Sequence, residues 1–92
     1  MGIEYAIRFA YSDADSVANV LRQLPSVVER RSPAIEFEFR TDDTTEKMPY
    51  ASCKVESFGL YFCDYGGQGR EFLGRLIARL VSRFGAVTVE EL

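Results

Sequence analysis

The sequence predicts an α+β fold, a two-layer α/β sandwich in which both helices cover one face of a single sheet. Several segments alternate apolar with polar residues, which is typical of strands with one buried face, and two others carry one apolar stripe at helical spacing. One core between two layers buries all of these faces. The predicted order is β-α-β-β-β-α-β, with a mixed or mostly antiparallel sheet, in one domain spanning residues 1–92.

The first strand and the first helix are the clearest elements of the amino-terminal half. The strand alternates large apolar residues with smaller or charged ones: Ile3, Tyr5, Ile7, Phe9 and Tyr11. Ser12 and Asp15 have capping-box spacing, so a helix is expected to begin at Ser12. Its apolar residues follow at helical spacing: Val17, Val20, Leu21 and Leu24. Pro25 ends the helix because its ring clashes with the preceding turn. Residues 26–33 are ambiguous, and their two valines could add one irregular turn.

The second predicted strand alternates three apolar residues with three charged ones: Ile35, Phe37, Phe39 and Glu36, Glu38, Arg40. Residues 41–49 are polar and end in proline, which predicts a loop. The acids of this loop lack the spacing of a calcium motif, so a solvated loop is favoured over a cation site: Asp42, Asp43 and Glu46.

Two strands at about 50–56 and 59–65 form a predicted hairpin with two alternative registers. A three-residue turn with left-handed Gly59 would place Cys53 opposite Cys63. Burial favours a different register, in which Leu60 and Phe62 share the inner face with Cys53. Cys63 then points outward, because neighbouring side chains in a strand alternate between faces. We prefer the second register.

The second helix has the strongest apolar periodicity in the chain, at Phe72, Leu73, Leu76, Ile77, Leu80, Val81 and Phe84. Gly85 is expected to end it, and the alternation at Val87 and Val89 predicts a short last strand. A stripe of small residues beside the apolar face predicts close packing against the first helix: Gly74, Ala78 and Ser82.

Composition excludes several classes of function. The chain has no histidine, which excludes Ser-His and Cys-His catalysis, and its two cysteines are too few for a zinc ribbon. We therefore expect no cofactor, no metal and no enzymatic activity. No segment reaches the roughly 18 apolar residues of a membrane span. We expect a cytoplasmic protein with reduced cysteines.

Nucleic acid is also not an expected partner. The formal net charge of −3 opposes phosphate binding. Residues 56–63 are similar to the RNP1 octapeptide of the RNA-recognition motif at Phe58 and Gly59 alone. Glu56 stands where that motif has a basic residue, and Leu60 where it has a second stacking aromatic. Two matches in eight positions do not carry the RNA contacts of that family to this chain.

The uncovered face of the sheet is the leading candidate site. Its predicted interface residues are Tyr61, Cys63, Tyr65, Arg8, Glu36 and Glu38. Tyrosine is enriched at protein interfaces. The sequence therefore favours a protein-interaction or regulatory module that binds a protein partner or forms a homodimer. A third interpretation, a small acidic immunity or antitoxin-type inhibitor, rests on size and charge alone.

The glycine-rich turn before the second helix is the alternative site. Gly66, Gly67 and Gly69 lead into Arg70, and backbone N–H groups at a helix start can hold a phosphate or carboxylate. The competing interpretation is a tight turn that needs positive φ at one or two glycines.

The second helix carries an arginine every four residues, at Arg75, Arg79 and Arg83. Residues 65–84 sum to +3 and the remainder to −6, which could steer an acidic partner.

Overall fold

The computed structural model describes residues 2–30, 34–40 and 49–92. In chain order its elements are β1 (Ile3–Arg8), α1 (Ala14–Arg22), β2 (Val27–Arg30), β3 (Glu36–Phe39), β4 (Ala51–Glu56), β5 (Gly59–Asp64), α2 (Gly69–Phe84) and β6 (Thr88–Glu91). The acids considered for a cation site lie outside the described residues: Asp42, Asp43 and Glu46.

The strands form one antiparallel sheet in the order β2-β3-β4-β5-β1-β6. The predicted α+β class and the order of the predicted elements are confirmed.

The strand β2 was not predicted, because its valines start an edge strand and do not extend the helix. Ser26 has a φ of 63°, which turns the chain sharply after Pro25. The Arg40 N–H then donates to the Ser26 carbonyl at 2.8 Å, and β2 pairs with β3.

The start of α1 differs from the prediction by one residue. Asp13, not Ser12, is the N-cap, and its Oδ1 accepts the Asp15 N–H at 3.0 Å. The backbone of Asp13 is extended, with φ of −143°, which directs its side chain back over the first turn. A carboxylate at this position also interacts favourably with the helix dipole.

A single core fills the space between one face of the sheet and both helices. Its largest fully buried side chains come from both layers: Phe37, Phe39, Phe62, Ile7, Leu21, Leu60, Leu76, Leu80 and Val17. The ring of Phe39 on β3 lies 5.0 Å from that of Phe72 on α2 and 6.1 Å from that of Phe62 on β5, between centroids. Both helices therefore pack on the same face of the sheet.

The small-residue stripe of α2 does not pack as predicted. Only Ser82 faces α1, in a groove between the two helices. Gly74 and Ala78 are exposed, and a Cβ added to Gly74 would meet open space. Two of the three small residues are therefore on the solvent side of α2.

The β4–β5 hairpin adopts the register that burial favours. Cys53 pairs with Phe62, Glu56 pairs with Gly59, and the turn is only two residues long. A Cβ on Gly59 would lie 2.2 Å from the Ile7 carbonyl oxygen, so β1 can approach this turn only because the residue is glycine. The two cysteines are therefore on opposite faces of the sheet and remain free thiols.

Candidate interaction surface

The outer sheet face is the side of the sheet that neither helix covers. We define it by the side chains that alternate away from the core: Glu4, Ala6, Arg8, Val28, Arg30, Glu36, Glu38, Arg40, Ser52, Lys54, Glu56, Tyr61, Cys63, Tyr65, Thr88 and Glu90. The alternation of each strand brings all six predicted interface residues to this face: Arg8, Glu36, Glu38, Tyr61, Cys63 and Tyr65.

The centre of this face combines tyrosines with a floor of small side chains. Tyr61 stands between Ala6 on β1 and Lys54 on β4, and the next residue pair toward the end of β5 is Glu4 with Cys63. Ala6 is 1% exposed and Cys63 is 6% exposed, because larger neighbours cover them. The Cys63 side chain therefore points outward, as predicted, but is buried among its neighbours on this face.

Both cysteine side chains are buried. Burial in the core raises the pKa of the Cys53 thiol, which keeps it neutral and unreactive. Cys63 lies under the outer-face side chains. Cys53 acts as a small apolar residue of the core, whereas the Cys63 thiol forms a hydrogen bond with the Tyr65 side chain.

Hydrogen bonds hold both central tyrosines in place. The Tyr61 hydroxyl donates to the Glu4 carboxylate, and the hydroxyls of Tyr65 and Ser52 are 3.2 Å apart. A tyrosine held this way presents its ring with little further loss of side-chain entropy on binding. The centre of the outer sheet face is thus preorganised.

Charged pairs surround this centre. Arg30 and Arg40 each lie 3.2 Å from Glu38, and Arg8 lies 3.3 Å from Glu90. The Arg8 guanidinium also covers the Phe58 ring, 4.9 Å from its centroid. The two exposed pairs, Arg8 with Glu90 and Arg30 with Glu38, each contribute only about 0–1 kcal/mol to stability, whereas the Arg40–Glu38 pair is largely buried. These pairs place charged groups around the two tyrosines, and a polar rim around an apolar centre is a common feature of protein interfaces.

The hydrogen bond between Tyr61 and Glu4 predicts how the Tyr61 hydroxyl titrates. Its hydrogen bond raises the pKa of Tyr61 to about 12. Because the raised value belongs to the folded state, this bond stabilises the protein fully below the unfolded pKa of about 10. That stabilisation is lost as the pH rises through about 12. We expect Glu4→Gln to lower the Tyr61 pKa toward about 10, measured by tyrosinate absorbance. Because the chain has several tyrosines, the Tyr61→Phe variant identifies which step of the absorbance titration belongs to Tyr61. If the Tyr61 titration is unchanged in Glu4→Gln, the hydrogen bond to Glu4 is contradicted.

Each glycine of the glycine-rich turn stands where the backbone conformation or a close contact disfavours a side chain. Gly66 and Gly67 have φ values of 114° and 58°, the left-handed region that side chains disfavour. A Cβ on Gly67 would lie 2.7 Å from the Tyr50 ring, and one on Gly69 would lie 2.6 Å from the Tyr50 carbonyl oxygen. The tight-turn interpretation therefore accounts for all three positions.

Asp64 is the residue of this turn that the sequence analysis missed. Its carboxylate is buried at the end of β5, and Oδ1 accepts the Gly66 N–H at 2.8 Å. An external anion at this N–H would have to displace a carboxylate already bound there. The signal in the sequence was an aspartate two residues before a glycine, a spacing typical of an Asx turn.

Arg70 is exposed beside this turn. With Ile3, Tyr65 and the first two glycines it lines a shallow cavity of about 380 Å³, which Asp64 also borders. An anion site at Gly66, Gly67, Gly69 and Arg70 stays a prediction, and the neighbouring carboxylate counts against it.

Two further findings concern the described part of the chain. Residues 2–30, 34–40 and 49–92 contain no group of three or more histidine, cysteine, aspartate or glutamate side chains placed to hold a metal ion. Neither α1 nor α2 is long and apolar enough to cross a membrane, and no other helix occurs among these residues. Comparison with family models, curated proteins and solved structures gave no match.

Proposed function

We propose that this protein is a non-enzymatic, cytoplasmic interaction module whose outer sheet face binds a second copy of the chain. The observation that supports this proposal is the placement of both helices on one face of the sheet. That placement leaves Tyr61 and Tyr65 uncovered at the centre of the other face, with charged residues around them. The inhibitor interpretation still rests on size and charge alone.

Charge favours a copy of the same chain as the occupant. The outer sheet face carries five acids (Glu4, Glu36, Glu38, Glu56, Glu90) and four bases (Arg8, Arg30, Arg40, Lys54). With both signs mixed and nearly balanced, two such faces can meet without net repulsion. The small floor residues Ala6 and Cys63 allow the facing tyrosines to approach closely.

The size of the face sets the expected affinity. Six strands about 4.8 Å apart, with an average length of five residues at about 3.4 Å per residue, give a footprint of roughly 500 Å². A standard stable interface buries about 800 Å² on each partner. The association is therefore expected to be weak and transient, with a dissociation constant of about 10 µM or weaker.

Sedimentation velocity over a wide concentration range tests the proposal. We expect a reversible dimer for the wild type and about tenfold weaker association for Tyr61→Ala, because aromatic residues at the centre of an interface contribute most. Val81→Ala is the matched control, since Val81 is an exposed apolar residue on α2, in the opposite layer. A wild type that stays monomeric at every concentration would contradict self-association, as would equal weakening by Val81→Ala.

A further inference from the structure

A groove lies between the two helices, in the layer opposite the outer sheet face. It has a volume of about 210 Å³ and is lined by Ser16, Asn19, Val20, Gln23, Arg79, Ser82 and Arg83. The first helix and its C-cap contribute two amides and a hydroxyl, and α2 contributes two guanidinium groups and a hydroxyl. No acid is among the lining residues, so the groove is positively charged.

The two arginines of the groove have no carboxylate partner among the described residues. Arg79 Nη1 donates to Gln23 Oε1 at a long 3.4 Å, and the Arg83 guanidinium lies 5.4 Å from the centroid of the Phe84 ring. Arg22 on the neighbouring helix differs, because two of its nitrogens lie 2.8 Å from the Glu29 carboxylate oxygens. Arg79 and Arg83 therefore keep most of their donors available.

The amide oxygens of the groove residues are already hydrogen-bonded. Asn19 Oδ1 accepts from Arg22 Nη1 at 2.7 Å, and Gln23 Oε1 accepts from Arg79. Each amide oxygen is thus occupied by an arginine, which leaves Asn19 Nδ2 and Gln23 Nε2 to donate to a ligand. Ser82 adds a hydroxyl at the rim.

One acid borders the adjoining cavity, which Arg83 also lines. Asp13 lies there, and its carboxylate already accepts the Asp15 N–H as the cap of α1. Ser16 lines both cavities, but its hydroxyl donates to the Asp13 carbonyl at 2.6 Å. The lining residues with donors still available are therefore Arg79, Arg83, Asn19, Gln23 and Ser82.

We propose that this groove binds a phosphate group. Two guanidinium groups match the nearly double negative charge of a phosphate monoester, and its three terminal oxygens can accept from several of the donors on the residues that line the groove. The volume is below the roughly 300 Å³ at which pockets for drug-sized ligands begin, so the phosphate enters and the rest of the ligand stays outside. This site differs from the glycine-rich turn and does not depend on the proposed self-association.

A titration with inorganic phosphate, at constant ionic strength maintained with chloride, tests the proposal. We expect the side-chain Nε–Hε NMR signals of Arg79 and Arg83 to shift saturably. Arg79→Gln and Arg83→Gln should each raise the dissociation constant about tenfold, the loss expected for hydrogen bonds between charged groups. The matched control is Arg75→Gln, four residues before Arg79 on the same helix, because Arg75 is exposed and does not line the groove.

Further arms identify the source of the phosphate and the site. A phosphoserine peptide is titrated in parallel. If it binds at least tenfold tighter than inorganic phosphate, and Arg79→Gln removes this gain in affinity, the ligand is a phosphate carried on a protein. Equal affinity for the peptide and for inorganic phosphate indicates a small phosphate compound. Absence of saturable shifts would overturn the proposal. Equal weakening by Arg75→Gln would show nonspecific charge attraction, and loss of binding in Arg70→Gln would place the anion at the glycine-rich turn. Either result also overturns it. Far-UV circular dichroism confirms that each variant is folded.

Discussion

Replacing Gly69 with alanine is expected to lower the free energy of unfolding by about 3 kcal/mol. The new Cβ would lie 2.1 Å from Asp64 Oδ1 and 2.6 Å from the Tyr50 carbonyl oxygen. The carboxylate could rotate away only by giving up its bond to the Gly66 N–H, and the carbonyl belongs to the backbone. The start of α2 would therefore have to move off the end of the sheet.

Urea denaturation followed by circular dichroism measures this change, and Gly74→Ala is its matched control on the same helix. A Cβ at Gly74 meets open space, so alanine there should raise the free energy of unfolding by about 1 kcal/mol through its higher helix propensity. Opposite signs for the two substitutions are the expected outcome. A neutral Gly69→Ala would show that α2 does not begin against Asp64 and Tyr50.

Replacing Phe39 with alanine is expected to lower the free energy of unfolding by about 4 kcal/mol. Phe39 is fully buried, and its ring contacts both Phe72 on α2 and Phe62 on β5. Truncation removes the side chain that joins the helix layer to two strands of the sheet. The resulting cavity cannot collapse without moving α2.

Phe58→Ala provides the comparison for Phe39→Ala. Phe58 is half-buried in the hairpin turn beneath the Arg8 guanidinium, so its truncation should cost only about 1 kcal/mol. Thermal and urea unfolding of both variants measure the difference. Equal losses would contradict a core lying between the helices and only one face of the sheet.

The fold could be predicted from the sequence wherever periodicity extends over enough residues. The alternation that begins at Ile3 extends over several residue pairs, and the apolar stripe of α2 extends over several helical turns. In the β4–β5 hairpin, burial alone was enough to predict that Cys53 pairs with Phe62. The strand β2 could not be predicted, because its two valines are adjacent and do not alternate with polar residues, and Pro25 marks only where the helix ends. Its pairing partner β3 decides its conformation.

The candidate sites also differ in how far the sequence alone predicts them. The outer sheet face followed from strand alternation, which is a local property. The role of Asp64 depends on how β5 meets α2, and the groove depends on how the two helices pack side by side. The arginine spacing indicated a positive stripe, but only the packing of α1 shows that Arg79 and Arg83 face polar donors while Arg75 does not.

Amide NMR spectra recorded on dilution test the central claim most directly. If two outer sheet faces associate, the amide shifts that change between millimolar and micromolar protein should belong to β1, β4 and β5 around Ala6, Tyr61 and Cys63. The amides of α1 and α2 should stay unchanged. Concentration-independent spectra, or shifts confined to the helices, would contradict the assignment of the outer sheet face as the binding surface.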